Sequence, residues 1–180
     1  MRRFTFMVAA LAAMAVIPNR ASAQTPLEPG TVSISPTLGI AFDPDADVSL
    51  TLAGAGTYAV TTAFGVEAEL GHVFDMAGDD PDVDSSLTTV HAAVLYFFET
   101  DYVLVPYVAG GVGFGRFSHT VAAPPAKIGQ TEIGINLGGG IAYPLQDRIW
   151  LRGDIRYFKH IDDVPSIWRF GASVIVRIGG

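Results

Sequence analysis

From Val32 onward the chain alternates apolar residues with small or polar ones at a period of two, the periodicity of β-strands with one apolar face. Even positions from Val32 to Phe42 read Val, Ile, Pro, Leu, Ile and Phe, against Ser, Ser, Thr, Gly and Ala at the odd ones. The same alternation predicts strands over Leu50–Tyr58, Thr62–Phe74, Thr88–Phe98, Leu104–Phe114, Ile133–Tyr143, Ile149–Tyr157 and Trp168–Ile178. Within Thr88–Phe98 the pattern is weaker, because Leu95 and Phe97 fall on the otherwise polar face. Breaks at Asp43–Asp47, Asp75–Ser86, His119–Gly129 and Ile161–Ile167 read as loops rich in Asp and Pro. Those at Ala59–Thr61, Glu99–Asp101 and Pro144–Arg148 read as tighter turns. Eight strands with alternating longer and tighter connections predict an all-β, eight-stranded antiparallel up-and-down barrel with two unlike ends.

Two barrels share this pattern. A soluble lipocalin-like barrel turns its apolar face inward around a ligand. A transmembrane barrel turns it to lipid and keeps small and polar residues in the lumen. The eight apolar rows contain no Asp, Glu, Lys or Arg. The opposite rows carry eight charges among mostly Gly, Ala, Ser and Thr. Four are acidic (Glu67, Glu69, Glu132, Asp154) and four basic (Arg152, Arg156, Arg169, Arg177). A buried charge without a partner is costly, so a balanced set suits a closed lumen. Aromatics gather at strand ends. Phe42, Phe74, Phe114, Tyr157, Trp168 and Phe170 fall toward one interface, and Tyr58, Phe64, Tyr96, Phe98 and Tyr143 toward the other. Two such girdles mark a transmembrane barrel.

Composition sharpens this picture. Hydrophobic residues make up 49% of the 180 and charged ones 16%, which excludes an intrinsically disordered chain. The absence of cysteine excludes a disulfide scaffold, and the net charge of −7 argues against a nucleic-acid partner. Arg2 and Arg3, the apolar run Phe4–Pro18 and Ala21-Ser22-Ala23 form a secretory leader pattern. Residues 1–23 are therefore expected to be cleaved, leaving residues 24–180 as the barrel. Arg2, Arg3 and Arg20 depart with the leader, so the remaining 8 basic and 18 acidic residues give −10.

Gly110-Gly-Val-Gly-Phe-Gly115 has dinucleotide-loop spacing but lies inside an alternating strand, where glycine makes room in a lumen. No cofactor site, catalytic residue or metal site is expected. Asp43-Pro-Asp-Ala-Asp47 and Asp80-Pro-Asp-Val-Asp84 are solvated acidic loops without the glycine and distal Glu of an EF-hand. With Asp75, Asp79, Asp162 and Asp163 they make one rim acidic. Divalent cations bridging this rim to lipopolysaccharide phosphates are the expected weak association, with calcium raising the melting temperature. His91 falls on the lumenal row, His72 at a strand end, and His119 and His160 in loops.

The stretches Val105-Pro-Tyr-Val-Ala-Gly-Gly-Val-Gly-Phe-Gly115 and Gly138-Gly-Gly-Ile-Ala-Tyr-Pro-Leu-Gln-Asp-Arg-Ile-Trp-Leu-Arg-Gly-Asp-Ile-Arg-Tyr157 carry a family resemblance. From Thr31 to Gly180 the chain resembles the small outer-membrane β-barrel family that includes the transmembrane domain of outer membrane protein A and outer membrane protein X. The final stretch Arg169-Phe-Gly-Ala-Ser-Val-Ile-Val176 is similar to the C-terminal signal read by the barrel-assembly machinery. Gly171 would be its glycine, and Val174 and Val176 its apolar pair. Two departures stand out: the sequence ends Ile178-Gly179-Gly180 rather than on an aromatic residue, and no peptidoglycan-binding domain is expected after the barrel. The resemblance implies the outer membrane of a Gram-negative-type bacterium, with lipids and lipopolysaccharide as neighbours. It implies a non-enzymatic barrel that supports the envelope or presents a surface, with the eight lumenal charges as a structural network. A narrow, porin-like channel is the alternative. A third reading is a lipid A-modifying enzyme, which would need a serine near a histidine and an acid; His160, followed by Ile-Asp-Asp, and Ser166 are the nearest candidates.

Overall fold

The computed structural model describes residues 25–42, 48–76, 83–121, 126–161 and 164–179. The leader, the acidic runs at 43–47 and 80–82, and Asp79, Asp162 and Asp163 lie outside the described residues. Eight strands follow one another: β1 (Val32–Phe42), β2 (Val48–Ala59), β3 (Phe64–Val73), β4 (Val83–Phe97), β5 (Val105–Val121), β6 (Ala126–Gln146), β7 (Ile149–His160) and β8 (Ile167–Arg177). Each pairs antiparallel with the next, and β1 pairs with β8 to close the barrel. Closure leaves no free edge, so backbone groups across the hydrocarbon are paired within the sheet. The β1–β8 seam runs from Ser33↔Arg177 to Phe42↔Trp168 but skips Ser35 and Pro36. Pro36 has no N–H to give to a ladder.

The faces follow the period. In β1, Ser33, Ser35 and Thr37 are buried while Val32, Ile34 and Leu38 are exposed. Outward apolar side chains continue around the barrel: Leu52, Leu70, Val94, Val112, Leu137, Ile155 and Phe170 are all exposed. An apolar belt of this extent belongs in contact with lipid rather than water. Aromatic pairs flank it. Phe64 and Tyr96 lie 4.8 Å apart at the end holding both termini, with Phe98 against Tyr96. Phe42 and Phe170 (5.4 Å), and Tyr157 and Trp168 (4.9 Å), lie toward the other end.

Strands β4 to β6 are longer than the sequence pattern predicts. The stretch His119–Gly129, read as a loop, is mostly strand: the β5–β6 ladder continues to Val121↔Ala126. Strand β6 meets β7 only from Gly134 onward, so the hairpin tip extends beyond its neighbour. Asp75–Ser86 likewise contains the start of β4 at Val83, and His160 closes β7 instead of lying in a loop. These extensions lack apolar alternation because a ladder projecting past the lipid has no greasy face to present. At the other end β6 runs to Gln146 through an irregularity between Pro144 and Gln146.

Candidate functional site: the charge cluster in the lumen

The inward rows build three layers. The lower layer, at the end holding the termini, is apolar: Leu95, Phe97, Val105, Tyr107, Trp150 and Ile175 pack together. Phe97 and Tyr107 stack with ring centroids 4.9 Å apart. Leu95 and Phe97, which break the alternation of β4, thus form part of a plug. The upper layer is a second apolar plug of Ala41, Val73, Leu87, Phe158, Val164 and Ile167. Between them lie six of the eight charges expected on the inward face.

Strands β3 and β7 stand on opposite sides of the barrel, and the charges reach across. Glu67 on β3 takes one hydrogen bond from Arg152 Nη1 and one from Arg156 Nη2, each 2.7 Å. Thr57 donates to the same carboxylate at 3.3 Å. Glu69 receives a two-pronged pair from Arg169 on β8, both contacts 2.8 Å, and Arg156 Nη1 lies 3.6 Å from it. Asp154 lies between the arginines of its own strand, 3.3 Å from Arg156 Nε and 3.8 Å from Arg152 Nε. Tyr107 donates its hydroxyl to Asp154 at 2.9 Å, and Arg152 Nε donates to Ser173 at 2.9 Å. All six charged side chains are at most 2% exposed. Three carboxylates meet three guanidiniums, so the layer is formally neutral. Two guanidiniums also lie over rings, Arg152 over Tyr107 and Arg169 over Phe158.

Glycines on β6 let the β7 backbone and these long side chains come close. A Cβ on Gly138 would run into the Ile155 carbonyl oxygen and lie 2.8 Å from Arg156 Cγ, and one on Gly140 would run into the Gly153 carbonyl oxygen and lie 3.0 Å from Asp154 Cβ. Gly171 of β8 faces inward, where a Cβ would meet Thr37 and Asp154. Val174 and Val176 lie on the outward row of the same strand.

The other two expected members lie elsewhere. Glu132 is half-buried toward the upper rim and accepts a hydrogen bond from the Val164 amide at 3.3 Å. Arg177 lies at the lower mouth, where it pairs with Glu28 at 2.7 Å and donates to the Asp147 carbonyl. Both fall at strand ends, where an inward position opens on a rim. Sequence reasoning did not single out Tyr107, Ser173 and Thr57 as partners of the charges. Their only signal is an inward position on a charge-bearing barrel.

Of the histidines, His160 lies differently from the expectation of a loop, while His91 falls on the inward row and His72 near the end of β3. His160 points inward and is buried, its Nδ1 3.0 Å from the Pro165 carbonyl. It therefore does not face lipid beside Ser166. His91 is buried above the charge cluster, Nδ1 3.1 Å from Asn136 Nδ2 and its ring edge-on to Phe158. His72 sits on the outward row, 2.9 Å from Thr88 Oγ1. Among the described residues no group of three or more His, Cys, Asp or Glu is placed to hold a metal.

The family model described as "Outer membrane protein beta-barrel domain" matches residues 7–175. No curated protein matches the chain. Among solved structures, neisserial surface protein A superimposes with a TM-score of 0.66 at 18% identity, covering 82% of this chain and 96% of that one. The N-terminal β-barrel domain of Pseudomonas aeruginosa OprF gives 0.65 at 18% identity, covering 83% and 98%. A major outer membrane protein of Thermus thermophilus gives 0.64 at 15% identity, covering 82% and 99%. At these identities the likeness concerns the fold.

Proposed function

The chain belongs to the outer membrane protein β-barrel domain family, and from that membership we propose a non-enzymatic, non-conducting barrel that supports the envelope or presents its surface. Family and fold together place it in the outer membrane. One observation carries the reading: the Glu67, Arg152 and Arg156 layer spans the lumen between two apolar plugs. A solute would have to part hydrogen-bonded charge pairs already taken out of water, and then pass Phe97 and Tyr107 below or Phe158 and Ile167 above. Breaking such a pair is costly because it strands the remaining charge.

Lipids and lipopolysaccharide are the proposed neighbours of the outward belt. Gly171, Val174 and Val176 are the proposed contacts for the barrel-assembly machinery. The inward setting of His160 weighs against lipid A chemistry at that residue. Liposome swelling tests the main reading. Vesicles carrying the protein should swell in small uncharged solutes no faster than empty vesicles. Swelling that depends on protein density would favour the narrow channel instead.

A further inference from the structure

Residues 25–31, just ahead of β1, fold across the mouth at the end holding the termini. Leu27 is 4% exposed and packs into the lower plug with Phe97, Trp150 and Ile175. A Cβ on Gly65 would lie 3.3 Å from its Cδ1. The segment is tied on two sides. Thr25 Oγ1 donates to the Thr62 carbonyl of the β2–β3 turn at 2.7 Å, and Glu28 pairs with Arg177 of β8. Gly30, at φ +81°, turns the chain into β1 while its amide donates to Ala59 at 2.8 Å. A positive φ of this kind suits glycine.

The ties are unequal in strength. The Glu28 side chain is 56% exposed, and an ion pair in contact with water holds weakly. The Thr25 bond is exposed as well. Leu27 is therefore the principal anchor, since burying one leucine outweighs either contact. Beneath it, the Trp150 indole N–H is buried with no acceptor among the described residues, a donor that entering water can pair.

We propose that residues 25–29 form a strap, hinged where Gly30 and Thr31 pair with Ala59, whose Leu27 stoppers the mouth, and that lifting it lets water into the lower plug. The cluster and upper plug stay in place, so the strap stands or falls independently of whether the barrel conducts.

The chain has no cysteine, so single introduced thiols report site by site. Ala59→Cys places one thiol beneath the strap, and Ala41→Cys places another in the upper plug; both alanines are buried. The full chain in lipid vesicles is exposed to a small water-soluble maleimide, with heat-modifiable gel migration checking the fold. Both thiols should label slowly when Leu27 is native. Leu27→Asp should speed labelling at Ala59→Cys by at least about tenfold and leave Ala41→Cys unchanged. Leu27→Ala should give a smaller rise in the same direction, and serves if the aspartate variant fails to fold. Equal rates at Ala59→Cys with and without the Leu27 substitution would overturn the proposal. So would a parallel rise at Ala41→Cys, which means general loosening.

Discussion

Arg156 Nη2 lies 2.7 Å from Glu67 Oε1, joining strands on opposite sides of the barrel. The bond is a strut across the lumen, and Arg152 makes a second on the other oxygen of the same carboxylate. Removing the shared carboxylate charge leaves three guanidiniums against two carboxylates in a buried layer. Glu67→Gln should therefore destabilise the barrel by about 3–5 kcal/mol. Urea unfolding in phospholipid vesicles measures it, and a loss under about 1 kcal/mol, the scale of a solvated surface pair, would contradict a buried strut.

Tyr107 isolates one polar contact of the same layer. Its hydroxyl donates to Asp154, while its ring stacks on Phe97. Tyr107→Phe keeps the stack and removes the donor, so it should cost about 1.5–3 kcal/mol, the range for a hydrogen bond to a charged group. The same unfolding assay reads it. A neutral result would mean that Asp154 finds another donor.

Glycine position should matter by face. A Cβ on inward Gly138 would run into the Ile155 carbonyl oxygen and crowd Arg156, whereas one on outward Gly153 meets nothing within 4 Å. Gly138→Ala should cost about 1–3 kcal/mol through overpacking. Gly153→Ala should stay within about 0.5 kcal/mol. Equal effects would contradict the assignment of faces.

The outward belt makes a separate prediction. Val112 is 60% exposed near the middle of β5. In lipid, Val112→Arg should cost about 2–4 kcal/mol if it sits near the bilayer midplane, because the charge enters hydrocarbon. An unchanged stability in vesicles would mean that this face meets water.

The strand faces and the inward set of charges were legible because lipid on one side and a tight lumen on the other impose a strict period of two. The pattern weakens where either constraint lapses. The β5–β6 extension past Phe117 and Gln130 has no lipid to match, so its residues read as loop. Leu95 and Phe97 looked like errors in β4 because the pattern cannot distinguish a polar lumen from a locally apolar plug. Inward position identifies Glu67 and Arg156 but not their partnership, since contacts across a barrel depend on tilt and stagger. That is why Glu132 and Arg177 read as equals of the central six although they lie at the two rims. Leu27 had no signal, being one apolar residue in a segment too short for any period.

Single-channel recording in planar bilayers tests the closed lumen most directly. The native barrel should show no steady openings, because the Glu67 and Glu69 pairs and the plugs on either side fill the path. Steady openings of the native protein, with a conductance changed by Glu69→Ala, would contradict it and make the charge layer the lining of a pore.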